Sequence, residues 1–190
     1  ANPSITDAYK TAFAAANPGQ ALPTTFYVEN KMSLGQASEV FFMLLLPFAY
    51  SRLGIKKILI IGLVAWIIRF LFFSYGNAGG SEWMLYGGIL LHGMCYDFFF
   101  VSGMIYTDEK AGEKIKSQAQ GLISLATYGL GMGIGSWLSG KVKDKYTTGT
   151  GIDAITNWAS VWMVPAGIAV AVLIIFIVAF KDKKQVHTAH

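Results

Sequence analysis

Three ionisable side chains interrupt apolar runs in this 190-residue sequence: Glu39, Arg69 and Asp97. Asp97 stands in "GMCYDFFFVSG" (93–103), with no lysine or arginine within ten positions on either side. A charged group at membrane depth costs a few kcal/mol or more unless it faces a cavity or a partner, so each is a functional candidate. In a helix, Gln36 and Glu39 at i and i+3 share one face, which Ser33 and Met43 extend. Such a polar stripe suits a water-filled cavity or a polar partner helix; the alternative is hydrogen bonding that only joins helices. Asp97 shares its face with Gly93, Phe100 and Met104, beside an adjoining face of His92, Tyr96 and Phe99. A glycine one turn from an acid allows close approach of a ligand or helix. Aromatic rings with a phenol and a carboxylate suit a flat, hydroxyl-bearing molecule; the alternative is an aspartate paired with a basic group elsewhere. Arg69 lies toward the outer end of its run, where it is expected to snorkel to headgroups, with a salt bridge to Asp97 as the sharper alternative. His92 is either a proton relay or simply hydrogen-bonded, and Cys95 reads as a small buried residue.

Other chemistries lack their residues. One cysteine permits no intrachain disulfide and no CxxC motif. The histidines, at 92, 187 and 190, have no zinc spacing. Neither paired aspartate motifs nor a nucleophile with histidine is present, so neither an enzyme, a cofactor nor a metal is expected. The composition, 54% hydrophobic and 14% charged with a mean hydropathy of +0.47, is that of a membrane protein. The net charge of +4 comes from short basic clusters between apolar runs, a pattern of membrane orientation rather than nucleic-acid binding.

A bilayer core of about 30 Å takes roughly 20 apolar residues as a helix. Five stretches fit, at about 27–50, 57–75, 83–106, 117–138 and 158–180, giving an all-α integral membrane bundle. "SRLGIKK" (51–57) reads as a tight turn between antiparallel helices, "GNAGGSE" (76–82) as a glycine-rich loop, and 107–118 and 141–157 as polar loops. Residues 1–26 read as an external loop with a short helix around 7–15, and 181–190 as a cytoplasmic tail. Basic residues at 52, 56, 57, 110, 114, 116, 181, 183 and 184 lie on one side, against 10, 31, 141, 143 and 145 on the other. The richer side is expected in the cytoplasm, with the C-terminus. Five spans that start outside are the expected remainder of a longer protein. In the fourth, Gly129 with Gly133 and Gly131 with Gly135 form small-xxx-small patterns expected to pack closely on another helix, or to ease bending.

Several stretches, in order, resemble a known family. "LPFAYSRLGIKK" (46–57) is similar to the basic cytoplasmic turn of the major facilitator superfamily, with Ser51 where an acid is usual. "GQASE" (35–39), "AWIIRF" (65–70), "YDFFFVSG" (96–103), "SQAQG" (117–121) and "SGKV" (139–142) resemble the bacterial nucleoside:proton symporters within that superfamily. The departures are Gly35 in place of serine, Tyr96 in place of phenylalanine, and His92 in place of an aromatic residue.

The resemblance implies helices eight to twelve of a twelve-helix inner-membrane transporter, part of its C-terminal six-helix bundle, partnered by an N-terminal half and a seventh helix. It implies nucleoside binding by Gln36, Glu39, Tyr96 and Asp97, and proton coupling through Glu39, Asp97 and His92. Ribose hydroxyls and a flat base suit carboxylate and amide groups flanked by aromatic faces. A buried carboxyl group beside a second acid favours its protonated form, so either acid could take a proton outside and release it inside by alternating access. The competing readings are a major facilitator carrier of a sugar or drug, and a structural membrane subunit.

Overall fold

The computed structural model describes residues 28–77, 80–149 and 154–180, with positions 11, 15, 16 and 18 ahead of them, and leaves the side chains of 28–32 aside. The expected external loop over 1–26 and the tail over 181–190 lie essentially outside the described residues. Five long helices account for nearly all of the rest. They are α1 (Val28–Leu53), α2 (Ile55–Tyr75), α3 (Glu82–Ala111), α4 (Lys116–Ser124, Leu125–Gly131 and Met132–Lys145) and α5 (Trp158–Ala179).

Their apolarity explains why they form. In water-free hydrocarbon every backbone N–H and C=O must be satisfied within the segment, which a helix achieves. Three of the five, α2, α3 and α5, are long and apolar enough to cross a membrane. The more polar α1 and the three-part α4 do not meet that standard on their own, although both stand alongside the others. Between α1 and α2 only Gly54 intervenes; its φ of 74° is open to glycine and strained for other residues, so the "SRLGIKK" turn is a one-residue break. α4 runs on to Lys145, past the expected end near 138. The stretch expected to be an irregular loop instead includes a small antiparallel pairing of β1 (Thr147–Thr148) with β2 (Ile155–Thr156), Thr147 opposite Thr156.

α2 is the central post. It packs along α3 on one side and α5 on another, while α1 lies against α3. Leu46, Ala49, Ile58 and Phe98 form the innermost cluster, surrounded by Phe42, Tyr50, Ile61, Met94 and Val101. One end of the bundle is tied by Tyr50 Oη donating to Glu109 (3.0 Å), Lys56 Nζ donating to the Phe180 carbonyl (2.6 Å) and Lys116 pairing with Asp108 (3.2 Å). At the opposite end Ser74 Oγ donates to the Ala159 carbonyl (2.9 Å). The basic residues of 52–57 and 110–116 therefore share an end, as the antiparallel reading requires. α4 is the exposed member: residues 128–141 are all exposed, and nothing among the described residues lies within 4 Å of a Cβ placed at Gly133, Gly135 or Gly140. The close packing expected of the glycine stripe is not made among the described residues: Gly135 and Gly140 instead line an open cleft against Trp158, Trp162 and Pro165 of α5.

Both α3 and α4 are widened in the middle. Tyr96–Val101 and Leu125–Gly131 are π-helical, with hydrogen bonds closing one residue later than in an α-helix. Each such turn inserts an extra residue and rotates the side chains that follow, a feature often found where a helix carries a functional group. The first of the two contains Tyr96 and Asp97.

Candidate functional site

Ser38 and Gly93 set the distance between α1 and α3. Gly93 N–H donates to Ser38 Oγ (3.0 Å), whose own hydroxyl donates to the Gly35 carbonyl (2.6 Å). A Cβ at Gly93 would fall on the backbone of Ser38 and Glu39, so only glycine lets the helices meet this closely. Gly62 on α2 allows a similar approach to the backbone at Phe98 and Phe99, where a Cβ would come within 2.9 Å. These two contacts hold three helices together around the polar residues at the bundle's mid-depth.

Glu39 and His92 are brought together directly. Glu39 Oε1 lies 2.8 Å from His92 Nε2, with both side chains 32% exposed. On the other edge of the same ring, Arg69 Nη1 lies 2.6 Å from His92 Nδ1. Three helices thus contribute one continuous row, Glu39 from α1, His92 from α3 and Arg69 from α2. The expected snorkelling of Arg69 is overturned: its guanidinium turns inward, 5.2 Å from the Trp66 ring and 5.4 Å from the Phe73 ring. Aromatic faces and an imidazole acceptor within the bundle compensate the cation without a climb to the headgroups. The alternative salt bridge to Asp97 is not formed either.

Asp97 stands apart from this row. It is 0% exposed, and neither carboxyl oxygen has a hydrogen-bond partner among the described residues. Glu39 lies within electrostatic reach of it. Ser102 Oγ spans the π turn to donate to the Asp97 main-chain carbonyl (3.2 Å), so it supports the backbone and leaves the carboxyl group unengaged.

Tyr96 faces the other way. Its hydroxyl shares a 2.8 Å hydrogen bond with that of Tyr128, joining the two π turns. The two tyrosines line a cleft of about 460 Å³ with Phe100, Thr127, Gly131 and Met132. The Tyr96 ring centroid is 6.3 Å from that of His92 and 5.7 Å from that of Phe100, so an aromatic surface runs from the cleft to the row of charges. Gln36 is exposed one turn before Glu39 on α1. The sequence pattern did not single out Tyr128, and it marked Arg69 as a candidate but favoured a headgroup-facing role over a place in the site. Tyr128 carries no charge to mark it, and an arginine near a helix end has an ordinary explanation.

The arrangement combines acceptors, a phenol pair, stacked rings and a carboxyl group of unassigned charge at membrane depth. A family model described as "Nucleoside H+ symporter" matches residues 5–185. The chain is 41% identical over 164 residues to YegT of Escherichia coli (strain K12), covering 83% of this chain and 38% of that protein. It is 37% identical over 153 residues to the nucleoside permease NupG of the same organism, covering 80% of this chain and 36% of NupG. The crystal structure of the nucleoside transporter NupG superposes with a TM-score of 0.74 at 34% identity, over 94% of this chain and 44% of that one. The chain therefore spans well under half the length of the relatives it matches.

Proposed function

The chain belongs to the nucleoside H+ symporter family, and from that premise we propose that it works as part of a secondary transporter coupling nucleoside entry to proton entry. The family is one of transport proteins, and its members' superposition on this all-α bundle accounts for the membrane-spanning helices. The carrier of another solute and the structural subunit are not favoured by these matches.

The observation that carries the mechanism is the contrast between two carboxyl groups at the same depth. Glu39 is engaged by His92, whereas Asp97 is enclosed with no partner among the described residues. An enclosed carboxyl group with no partner in its own bundle is suited to hold a proton at membrane depth. In this reading Gln36 and Glu39 accept and donate hydrogen bonds to ribose hydroxyls, and Tyr96 stacks on the base along the cleft it shares with Tyr128. Asp97 carries the proton and reaches substrate only in a state of the transport cycle that uncovers it. Alternating access uses a second bundle packed on the exposed faces of α1 and α4, in the inner membrane of a bacterium, with the C-terminus in the cytoplasm.

The test is uptake of radiolabelled uridine and adenosine, driven by an imposed proton gradient, by the full-length protein in vesicles. Glu39→Gln and Asp97→Asn are both expected to lose proton-driven accumulation at normal membrane levels. Retention of counterflow exchange by Asp97→Asn, with nucleosides crossing but not accumulating, would place the proton on that residue. Wild-type accumulation by either variant would remove the corresponding residue from the mechanism.

A further inference from the structure

Arg69 and His92 meet where only one arrangement of protons satisfies both. A guanidinium carries donors alone and stays charged throughout the physiological range. Its Nη1 lies 2.6 Å from His92 Nδ1, so that nitrogen must present its lone pair. The neutral ring then holds its proton on Nε2. Nε2 is the nitrogen that lies 2.8 Å from Glu39 Oε1, which is an acceptor. A second ring proton, on Nδ1, would point at an arginine N–H, so the imidazolium does not fit while Arg69 is in place.

We propose that Arg69 is a positioning residue: by occupying His92 Nδ1 it fixes the imidazole as the neutral Nε2–H tautomer, a one-way donor to Glu39 Oε1. Glu39 Oε2 is then left for the solute, and the transported proton resides on a carboxyl group and not on His92. The consequence for transport rests on the proposed nucleoside symport; the tautomer does not. This departs from the expectation of a histidine relay. A relay passes a proton from one ring nitrogen to the other, and here one nitrogen faces a group that cannot accept.

The surroundings support the assignment. The ionisable groups at the ring are Glu39 on α1 and Arg69 on α2, with the Tyr96 ring 6.3 Å away on its own helix, Cys95 beside Arg69, and Tyr128 reached through the Tyr96 hydroxyl; Asp97 stands apart from the ring. No carboxylate competes for the guanidinium at hydrogen-bond distance among the described residues; its Nε has no partner there either.

The test is ¹⁵N NMR of the full-length protein, histidine-labelled and held in lipid nanodiscs, with the His92 signals identified by their loss in His92→Gln. In the wild type we expect a protonated Nε2 and a bare Nδ1, unchanged from about pH 8 to about pH 5 although a free imidazole titrates in that interval. In Arg69→Met the same signals become a tautomer mixture that protonates as pH falls, and the KM for nucleoside rises about five- to tenfold. An Nδ1–H tautomer or an imidazolium in the wild type overturns the proposal, and so does an Arg69→Met spectrum identical to the wild type. The wild-type spectrum decides even if the variant does not fold. A parent that carries no nucleoside would defeat the transport function, while the role of Arg69 in fixing the tautomer would still stand or fall on the spectrum.

Discussion

At the scale of single residues, the site depends on hydroxyl and ring contacts between helices. The Tyr96–Tyr128 pair is the clearest case, because the two hydroxyls bond across 2.8 Å between separate π turns. A neutral hydrogen bond of this kind contributes about 0.5–1.5 kcal/mol net. Tyr96→Phe and Tyr128→Phe are each expected to raise the KM for nucleoside about two- to tenfold with little change in kcat. The double variant should be no worse than the worse single, and uptake kinetics across that four-member cycle measure it. Additive losses would mean that each hydroxyl acts separately. The sequence made Glu39, Asp97 and Tyr96 legible because an acid in an apolar run, or a phenol beside one, is conspicuous by type. It could not show Tyr128 or the inward turn of Arg69. Helical spacing tells which residues share a face, but which residue of another helix meets that face depends on packing.

At the scale of elements, the Glu39–His92 contact is only as good as the crossing of α1 and α3. Gly93 was legible as a point of close approach, and the backbone of Ser38 and Glu39 does occupy the space beside it. Gly93→Ala must push α1 outward, and overpacking of this sort costs about 1–3 kcal/mol. We expect a lower melting temperature in detergent together with a larger loss of uptake than of membrane level, because the displaced residue is Glu39 itself. Full uptake with unchanged melting would show that the crossing can slide without consequence. The five helices and the break at Gly54 were readable from hydropathy and turn residues. The π turns at Tyr96–Val101 and Leu125–Gly131 were not, since an α-helix and a π-helix draw on the same apolar composition. Their effect is large nonetheless. An i, i+3, i+4 projection through residue 97 assigns faces as if the helix were regular, whereas the extra residue of the π turn rotates the side chains that follow it.

At the scale of the whole molecule, the distribution of burial indicates where the rest of a transporter would sit. α5 is scarcely buried, with Ile174, Ile175 and Val178 exposed, as suits a helix facing lipid. α1 exposes Val40, Phe41 and Leu44, and α4 exposes Leu130, Ile134 and Trp137, faces that are apolar but interleaved with Gln36, Tyr128 and glycines. Mixed faces of that kind suit a second bundle that moves against the first rather than uniform hydrocarbon. The proposed orientation of such an assembly rests on the end shared by Arg52, Lys56, Lys57 and Lys110, which the ties of Tyr50 to Glu109 and Lys56 to Phe180 hold together. A predominance of basic residues marks the cytoplasmic side. Cys95, the only cysteine of the chain, is 0% exposed, so a cysteine introduced at exposed Ser51 or exposed Thr148 can be read against a quiet background. In the full-length protein freed of other cysteines, a membrane-impermeant maleimide is expected to label Thr148→Cys on intact cells and Ser51→Cys only after permeabilisation. The reverse pattern would invert the bundle. Glu39 and Asp97 would then meet the proton gradient from the opposite side, and a nucleoside moving with protons down that gradient would have to enter from the face assigned here to the cytoplasm.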